Sequence, residues 1–80
     1  MTGPEELRKA VADALQESEL PRTLVAKDAG LGRATLESWM SGLRNPSAES
    51  VRQIAAALEK RAGRIQQIAA RLRNLLSKDA

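Results

Sequence analysis

The sequence lacks the two residue types on which most catalytic and metal sites depend. Its 80 residues include no cysteine and no histidine. Without thiols the chain can form neither a disulfide nor a thiolate metal site, and without histidine it loses the commonest general base and metal ligand. Its carboxylates are spread over helix surfaces, and no hydroxyl is paired with a base. We therefore expect no enzymatic activity and neither a metal ion nor another cofactor.

Aromatic residues and long apolar runs are also scarce. Trp39 is the only aromatic residue, whereas a stacking platform for single-stranded nucleic acid needs several. The apolar runs are too short for a membrane span, and the N-terminus is acidic rather than signal-like. We expect a cytoplasmic protein with no membrane partner. Thirteen Lys and Arg against ten Asp and Glu give a net charge of +3, which is compatible with a polyanionic partner but does not indicate one.

The apolar residues repeat with helical spacing along the whole chain, and no segment alternates as a strand would. Residues 2–6 have the features of a helix start: Thr2 as a capping residue, Pro4 in the first turn, then Glu5 and Glu6 at the positive end of the helix. One apolar stripe follows, made of Leu7, Ala10, Val11, Ala14 and Leu15. The pattern breaks over residues 17–21, and we expect Pro21 to open the next helix.

Residues 22–39 are predicted to form two short helices joined by a tight turn. Gly30 can adopt positive φ at no steric cost, so the chain can turn sharply there. The small side chain of Ala26 allows the second helix to approach the first closely. Gly32 stands at the capping position of the second helix. The predicted inner faces consist of Val25, Ala26 and Ala29 on the first helix, and of Leu36 and Trp39 on the second, with Leu31 between them.

The remainder of the chain predicts a turn and then a long helix. Gly42 is placed as a helix C-terminal residue, Asn45-Pro46 is a turn signal, and Ser47 can cap the next helix. Beyond Ser47 we favour one long helix, with a possible bend near Gly63, over two helices and a loop. Its apolar stripe is interrupted only by Arg61 and consists of Val51, Ile54, Leu58, Ile65, Ile68, Leu72 and Leu75, widened by Ala62, Ala69 and Leu76.

Residues 20–58 resemble the Cro and repressor helix-turn-helix family of phage and bacterial regulators. The matching residues are Leu20, Val25, Ala26, Gly30, Leu31, Leu36, Trp39, Gly42, Arg44, Asn45, Pro46, Ser47, Ile54, Ala55 and Leu58. The departures are Pro21, where the family often has serine, Arg22, where it often has glutamine, and the helix beyond Leu58, which the family pattern does not cover. The resemblance implies an all-α fold, a compact lambda-repressor-like bundle of four or five helices that binds operator DNA, usually as a dimer. We expect a single domain over residues 1–80, with a core at 4–58 and a helical extension at 59–77.

The outer face of the second short helix is expected to read DNA. The family's base-reading positions fall on Arg33, Ala34, Glu37 and Ser38. We expect phosphate contacts from Arg22, Thr23, Thr35, Arg44 and Asn45, which would position the protein without reading sequence. The alternative for Arg33 and Glu37, four residues apart, is a plain solvated ion pair. The alternative for Arg44 and Asn45 is a plain turn.

The last part of the stripe has no evident partner within the predicted bundle. One interpretation is that Ile65, Ile68, Leu72, Leu75 and Leu76 form a homodimer interface. The other is that they fold back over Leu7, Val11 and Leu15 and close a monomeric core; both can hold in part, with the helix beginning in its own core and ending in the partner's. The basic residues Lys60, Arg61, Arg64, Arg71 and Arg73 are interpreted as the solvated face of this helix, with contact to DNA as the alternative.

These observations predict a sequence-specific regulator of double-stranded DNA, most simply a repressor at a palindromic operator. No pattern of residues suggests a small-molecule ligand. One alternative is a phage DNA-packaging or DNA-organising protein that assembles through the long helix. A second is an adaptor, such as an antitoxin, that uses this helix to hold a protein partner.

Overall fold

The computed structural model of the chain describes residues 3–79, and these form an all-α structure without strands. Thr2, the predicted capping residue, lies outside the described residues. The helices in this part of the chain are α1 (Pro4–Ser18), α2 (Arg22–Ala29), α3 (Arg33–Met40) and α4 (Ala48–Asp79).

The link between α1 and α2 lies where the apolar pattern breaks. Glu19 closes α1 in the left-handed conformation, with φ of 57°. The Ser18 hydroxyl donates to the Leu15 carbonyl at 2.8 Å and accepts from the Leu20 amide at 3.2 Å, which fixes the link locally. Pro21 precedes the first residue of α2, and this helix start has no side-chain capping hydrogen bond. Proline in place of serine therefore costs α2 the hydrogen bond that a hydroxyl would supply.

One hydrophobic core joins all four helices. Leu36 of α3 is its most deeply buried member, with 0% of its surface exposed. The predicted inner faces are confirmed, since the other buried members of the cluster are Val11 and Leu15 of α1, Val25 and Ala26 of α2, Trp39 of α3 and Ile54 of α4. Leu20, Ala29, Leu31, Met40, Val51 and Leu58 pack around them, partly buried.

Two glycine turns shape the loops on either side of α3. Gly30 has φ of 73°, and the amide of Leu31 donates to the carbonyl of Ala26 at 2.8 Å. Gly42, two residues beyond α3, has φ of 83°, and the amide of Leu43 donates to the carbonyl of Ser38 at 2.9 Å. Both turns show the bond of a Schellman motif, in which the following apolar residue usually packs back on its helix. Leu31 packs against the core, but Leu43 is 81% exposed.

The fourth helix is continuous through Gly63, as the favoured interpretation predicted. The Ser47 hydroxyl accepts from the Ser50 amide at 3.1 Å and thereby caps the helix, as expected. Residues 3–58, which contain the core cluster, are called the head below. Residues 64–78, all of them exposed, are called the tail.

The tail does not fold back over α1. Helix α4 has 32 residues, which at 1.5 Å per residue makes it about 48 Å long, so its second half extends past the head. The fold-back interpretation is therefore wrong for the single chain. A straight helix that starts in the core cannot return to it without a break. The apolar side chains left exposed are Ile65, Ile68, Leu72, Leu75 and Leu76.

Candidate nucleic-acid interface

Helix α3 has one buried face and one exposed face. Leu36 and Trp39 are anchored in the core, and because side chains three or four apart share a face, they fix the rotation of the helix. Arg33, Ala34 and Glu37 are consequently exposed on its outer side. Gly32 caps the start of α3 in extended conformation without a side-chain hydrogen bond, as its position predicted.

Arg33 and Glu37 form the one-turn ion pair that was the alternative interpretation of these two residues. Arg33 Nε lies 3.7 Å from Glu37 Oε1, and the two side chains are 70% and 46% exposed. A long, exposed ion pair of this kind is weakly held. The guanidinium therefore remains available to another acceptor, and the carboxylate orients it without locking it in place.

A shallow groove joins the outer face of α3 to the start of α2. Arg22 and Thr23, two of the residues predicted to contact phosphate, line it together with Arg33 and Glu37. The first residues of α2 and the outer face of α3 thus share one surface. The remaining lining comes from the end of α1 and its link to α2: Leu15, Gln16, Glu19, Leu20 and Pro21.

A second groove runs along α3 and is also lined by Arg33 and Glu37. All four predicted base-reading residues line it, together with Ser41 and Leu43. Leu43 was not predicted, because an apolar residue after a helix-ending glycine is expected to pack inward, as Leu31 does. The groove residues are Arg33, Ala34, Glu37, Ser38, Ser41 and Leu43.

Three hydroxyl groups on and after α3 have different surroundings. The Ser38 hydroxyl donates to the carbonyl of Thr35 at 2.6 Å, so in this rotamer it can only accept a further hydrogen bond. The Ser41 hydroxyl donates to the carbonyl of Ser38 at 3.2 Å. Thr35 is exposed but lines neither groove, and the same holds for Arg44 and Asn45, in the turn beyond α3.

Arg61 is not part of a solvated face, and the interpretation that it is was wrong. Its Nε and Nη2 both donate to Asp28 Oδ2 of α2, at 2.8 and 2.6 Å. The Arg61 and Asp28 side chains are 19% and 28% exposed. The Arg61 guanidinium can lie on the apolar face of α4 because it is paired with the Asp28 carboxylate of α2, 33 residues earlier in the chain. Spacing along one helix cannot reveal such a pair.

Residues 3–79 contain no group of acidic side chains placed to hold a metal ion. The described helices also lack an apolar stretch of the length that a membrane-spanning helix requires.

An all-helical bundle that fixes one short helix with its polar side outward has the architecture of a helix-turn-helix protein. The family model described as helix-turn-helix, of the Cro/C1 type, matches residues 11–65. The chain belongs to this family of DNA-binding regulators, which is not an enzyme family. Neither the search of curated proteins nor the search of solved structures gave a match.

Proposed function

We propose that this protein is a sequence-specific transcriptional regulator, most simply a repressor, that binds a palindromic operator as a homodimer. The observation that carries the proposal is the fixed rotation of α3, which turns Arg33, Ala34 and Glu37 outward beside a groove. In helix-turn-helix proteins the second helix lies in the major groove with its first residues on the base edges. A protein acting in this way works in the cytoplasm, on the nucleoid.

Three side chains near the start of α3 suit direct base recognition. Arg33 can donate two hydrogen bonds to O6 and N7 of guanine, worth about 1–3 kcal/mol of discrimination against another base. Glu37 can accept from a cytosine amino group, and the methyl group of Ala34 suits a thymine methyl. Ser38, whose proton is directed at the Thr35 carbonyl, is proposed to accept from a base amino group.

A second set of side chains is proposed to contact the phosphates on both sides. Arg22 and Thr23 share a groove with Arg33, so they can reach the backbone that flanks the bases read by α3. Arg44 and Asn45 lie past the opposite end of α3, and Thr35 is exposed on the helix itself. These contacts set affinity and its salt dependence rather than sequence preference.

The homodimer is proposed from the tail. A lone head makes few base contacts, whereas two heads related by a two-fold axis bind two half-sites at once. Half-sites in such operators lie about 34 Å apart, or at multiples of this distance. The exposed apolar side chains of the tail, Ile65, Ile68, Leu72, Leu75 and Leu76, are the surface available for pairing.

Selection from a pool of random duplex DNA, at two salt concentrations, tests the proposal. The wild type should enrich an inverted repeat, and Arg33→Ala should lose preference at one symmetric base position. Arg52→Ala is a matched control, because Arg52 is equally exposed at 71%, also has a glutamate beside it, and lines neither groove. It should select the wild-type site.

Other outcomes identify the alternatives. An Arg33→Ala protein with an unchanged selected site would show that α3 is not the reader. A higher oligomer that binds DNA without a discrete site would favour the packaging function. The absence of salt-dependent DNA binding would favour the adaptor, with the tail as its protein-binding surface.

A further inference from the structure

The face of α4 that packs against α1 and α2 continues past Arg61 into the tail. Ile54 and Ala57 are buried in the head, and Arg61 is the last residue tied to it, through Asp28. Steps of three or four residues from Arg61 lead along the same face to Ile65 and Ile68. The head and the exposed apolar stripe therefore lie on the same side of one continuous helix.

This shared side is incompatible with a parallel pair in which the two α4 helices stay side by side along their whole length. Two paired helices lie about 8–10 Å apart, with their stripes facing each other. In a parallel pair the first half of the partner's α4 would run beside Ile54 and Ala57, in the space that the head already fills. The described chain is 27 Å and 18 Å across its two shorter axes, so the head is much thicker than that gap.

We propose that two copies of this chain pair through their tails in antiparallel orientation, around a two-fold axis level with Ala70. The inference rests on the dimer proposed above and adds its geometry. In this arrangement Lys78 of the partner subunit lies level with Ala62, four residues beyond the end of the head, so the partner's tail (residues 64–78) does not overlap the head. The two heads then lie at opposite ends of the pair, and neither obstructs the other.

The spacing of the stripe fits a reversed copy of itself. Ile65, Ile68, Leu72 and Leu75 are separated by three, four and three residues, which reads the same in both directions. The two-fold axis brings Ile65 against Leu75 of the partner subunit, and Ile68 against Leu72 of the partner subunit. Each of the four layers then joins one isoleucine to one leucine.

The two flanks of the stripe differ in polarity and have opposite effects on the stability of an antiparallel pair. One flank carries Ala62, Ala69 and Leu76, and antiparallel pairing places it against the same apolar flank of the partner. This accounts for the exposure of Leu76 in the single chain.

The other flank is cationic. Antiparallel pairing brings Arg64 near Lys78 of the partner subunit and Arg71 near Arg71 of the partner subunit. Charge alone would favour a parallel pair, in which the cationic flank meets the apolar one. Long exposed side chains can turn into water, so like charges at such an edge are only weakly destabilising. A steric overlap between a head and the partner's helix cannot be relieved by a change of side-chain conformation. We therefore expect this overlap, rather than the charge repulsion, to determine the orientation.

The absence of cysteine allows a direct test by disulfide formation between single-cysteine variants of the full chain. The antiparallel pair predicts that Ile65→Cys mixed with Leu75→Cys yields a disulfide-linked heterodimer on mild oxidation. Because leucine and isoleucine are isomers, the two variants have equal mass, so one must carry an affinity tag. Asn74→Cys, on the opposite face, is the control and should form no linked dimer.

Ile65→Cys alone distinguishes the two orientations. In the antiparallel pair its two copies lie about 15 Å apart along the axis, at 1.5 Å per residue, which is too far for a disulfide. A linked Ile65→Cys homodimer would overturn the antiparallel orientation and leave the dimer standing.

Sedimentation of the wild type tests the dimer separately. A monomer or a larger assembly would overturn both the dimer and its antiparallel orientation. Selection of DNA sites in parallel shows whether the head reads sequence, so failure of the orientation is distinguishable from failure of the proposed function. All three positions are exposed, and circular dichroism should confirm that each variant folds.

Discussion

The two halves of α4 have the same apolar spacing and opposite surroundings. In the first half Ile54 is 3% exposed, whereas in the second half Leu72, eighteen residues later on the same face, is 61% exposed. The difference lies in what the rest of the chain provides. Helices α1 and α2 pack against the first half, and the described chain has no element left to cover the second.

Apolar periodicity specifies a face of a helix but not the element that covers this face. A stripe in the head and a stripe in the tail look alike in the sequence. The occupant follows from the geometry of the whole molecule, here from the length of α4 and from the position of the head on one of its sides.

The largest expected effect is on the stability of the head. Leu36→Ala should lower the free energy of unfolding by about 2–5 kcal/mol, because a fully buried leucine is replaced by a cavity. This loss should not depend on protein concentration. Leu72→Ala, measured at concentrations where the wild type is monomeric, should change the free energy of unfolding by less than about 0.5 kcal/mol. Urea titration followed by circular dichroism measures both, and equal losses would remove the distinction between head and tail.

The next effect is on association through the tail. Leu72→Asp should weaken dimerisation about 100-fold or more, because the two-fold interface contains this leucine twice and each burial is worth about 1.5–3 kcal/mol. Asn74→Asp adds the same charge on the opposite face and should leave dimerisation close to the wild-type value. Sedimentation equilibrium measures both dissociation constants. A Leu72→Asp protein that dimerises like the wild type would place the interface elsewhere.

Two glycines should respond in opposite directions to the same substitution. Gly30→Ala should destabilise the head by about 1–2 kcal/mol, because its φ of 73° is a left-handed conformation that a Cβ atom disfavours. Gly63→Ala should stabilise α4 by about 1 kcal/mol, because the added Cβ would meet nothing within 4 Å and alanine is the better helix former. Thermal unfolding of both variants checks the signs. Destabilisation by Gly63→Ala would mean that this glycine has a role beyond the single chain.

The smallest effect concerns the pair that joins α2 to the boundary between head and tail. A double-mutant cycle on Asp28→Asn and Arg61→Gln should give a coupling free energy of about 0.5–1 kcal/mol, since the pair is only partly exposed and bidentate at the arginine. The matched control is the exposed pair of Glu49 and Arg52, at 3.5 Å, whose coupling should be near zero. Similar coupling free energies for the two pairs would show that partial burial does not strengthen the ion pair.

Most of the head was predictable from the sequence, because local signals and periodic spacing agree there. Gly30, Gly42 and Ser47 each occupy the turn or cap that their chemistry favours, and the buried faces follow the spacing of the apolar residues. The exposed face of α3 follows from the buried one. The contact roles of Arg33 and its neighbours remain predictions.

What could not be predicted depends on contacts between segments that are distant in the sequence. The bond between Arg61 and Asp28 spans 33 residues, and no pattern in α4 marks it. Leu43 follows a glycine turn like Leu31 does, yet only Leu31 has core beneath it. The fold-back alternative for the tail could be rejected only once α4 was known to continue through Gly63.

We propose that the head reads DNA and that the tail pairs two heads. Selection of random duplexes by the Leu72→Asp protein separates these two roles. This variant should recover a single half-site, with the same bases as one arm of the wild-type repeat and with lower affinity. Recovery of the full inverted repeat at wild-type affinity would contradict it, because the two heads would then associate without the tail.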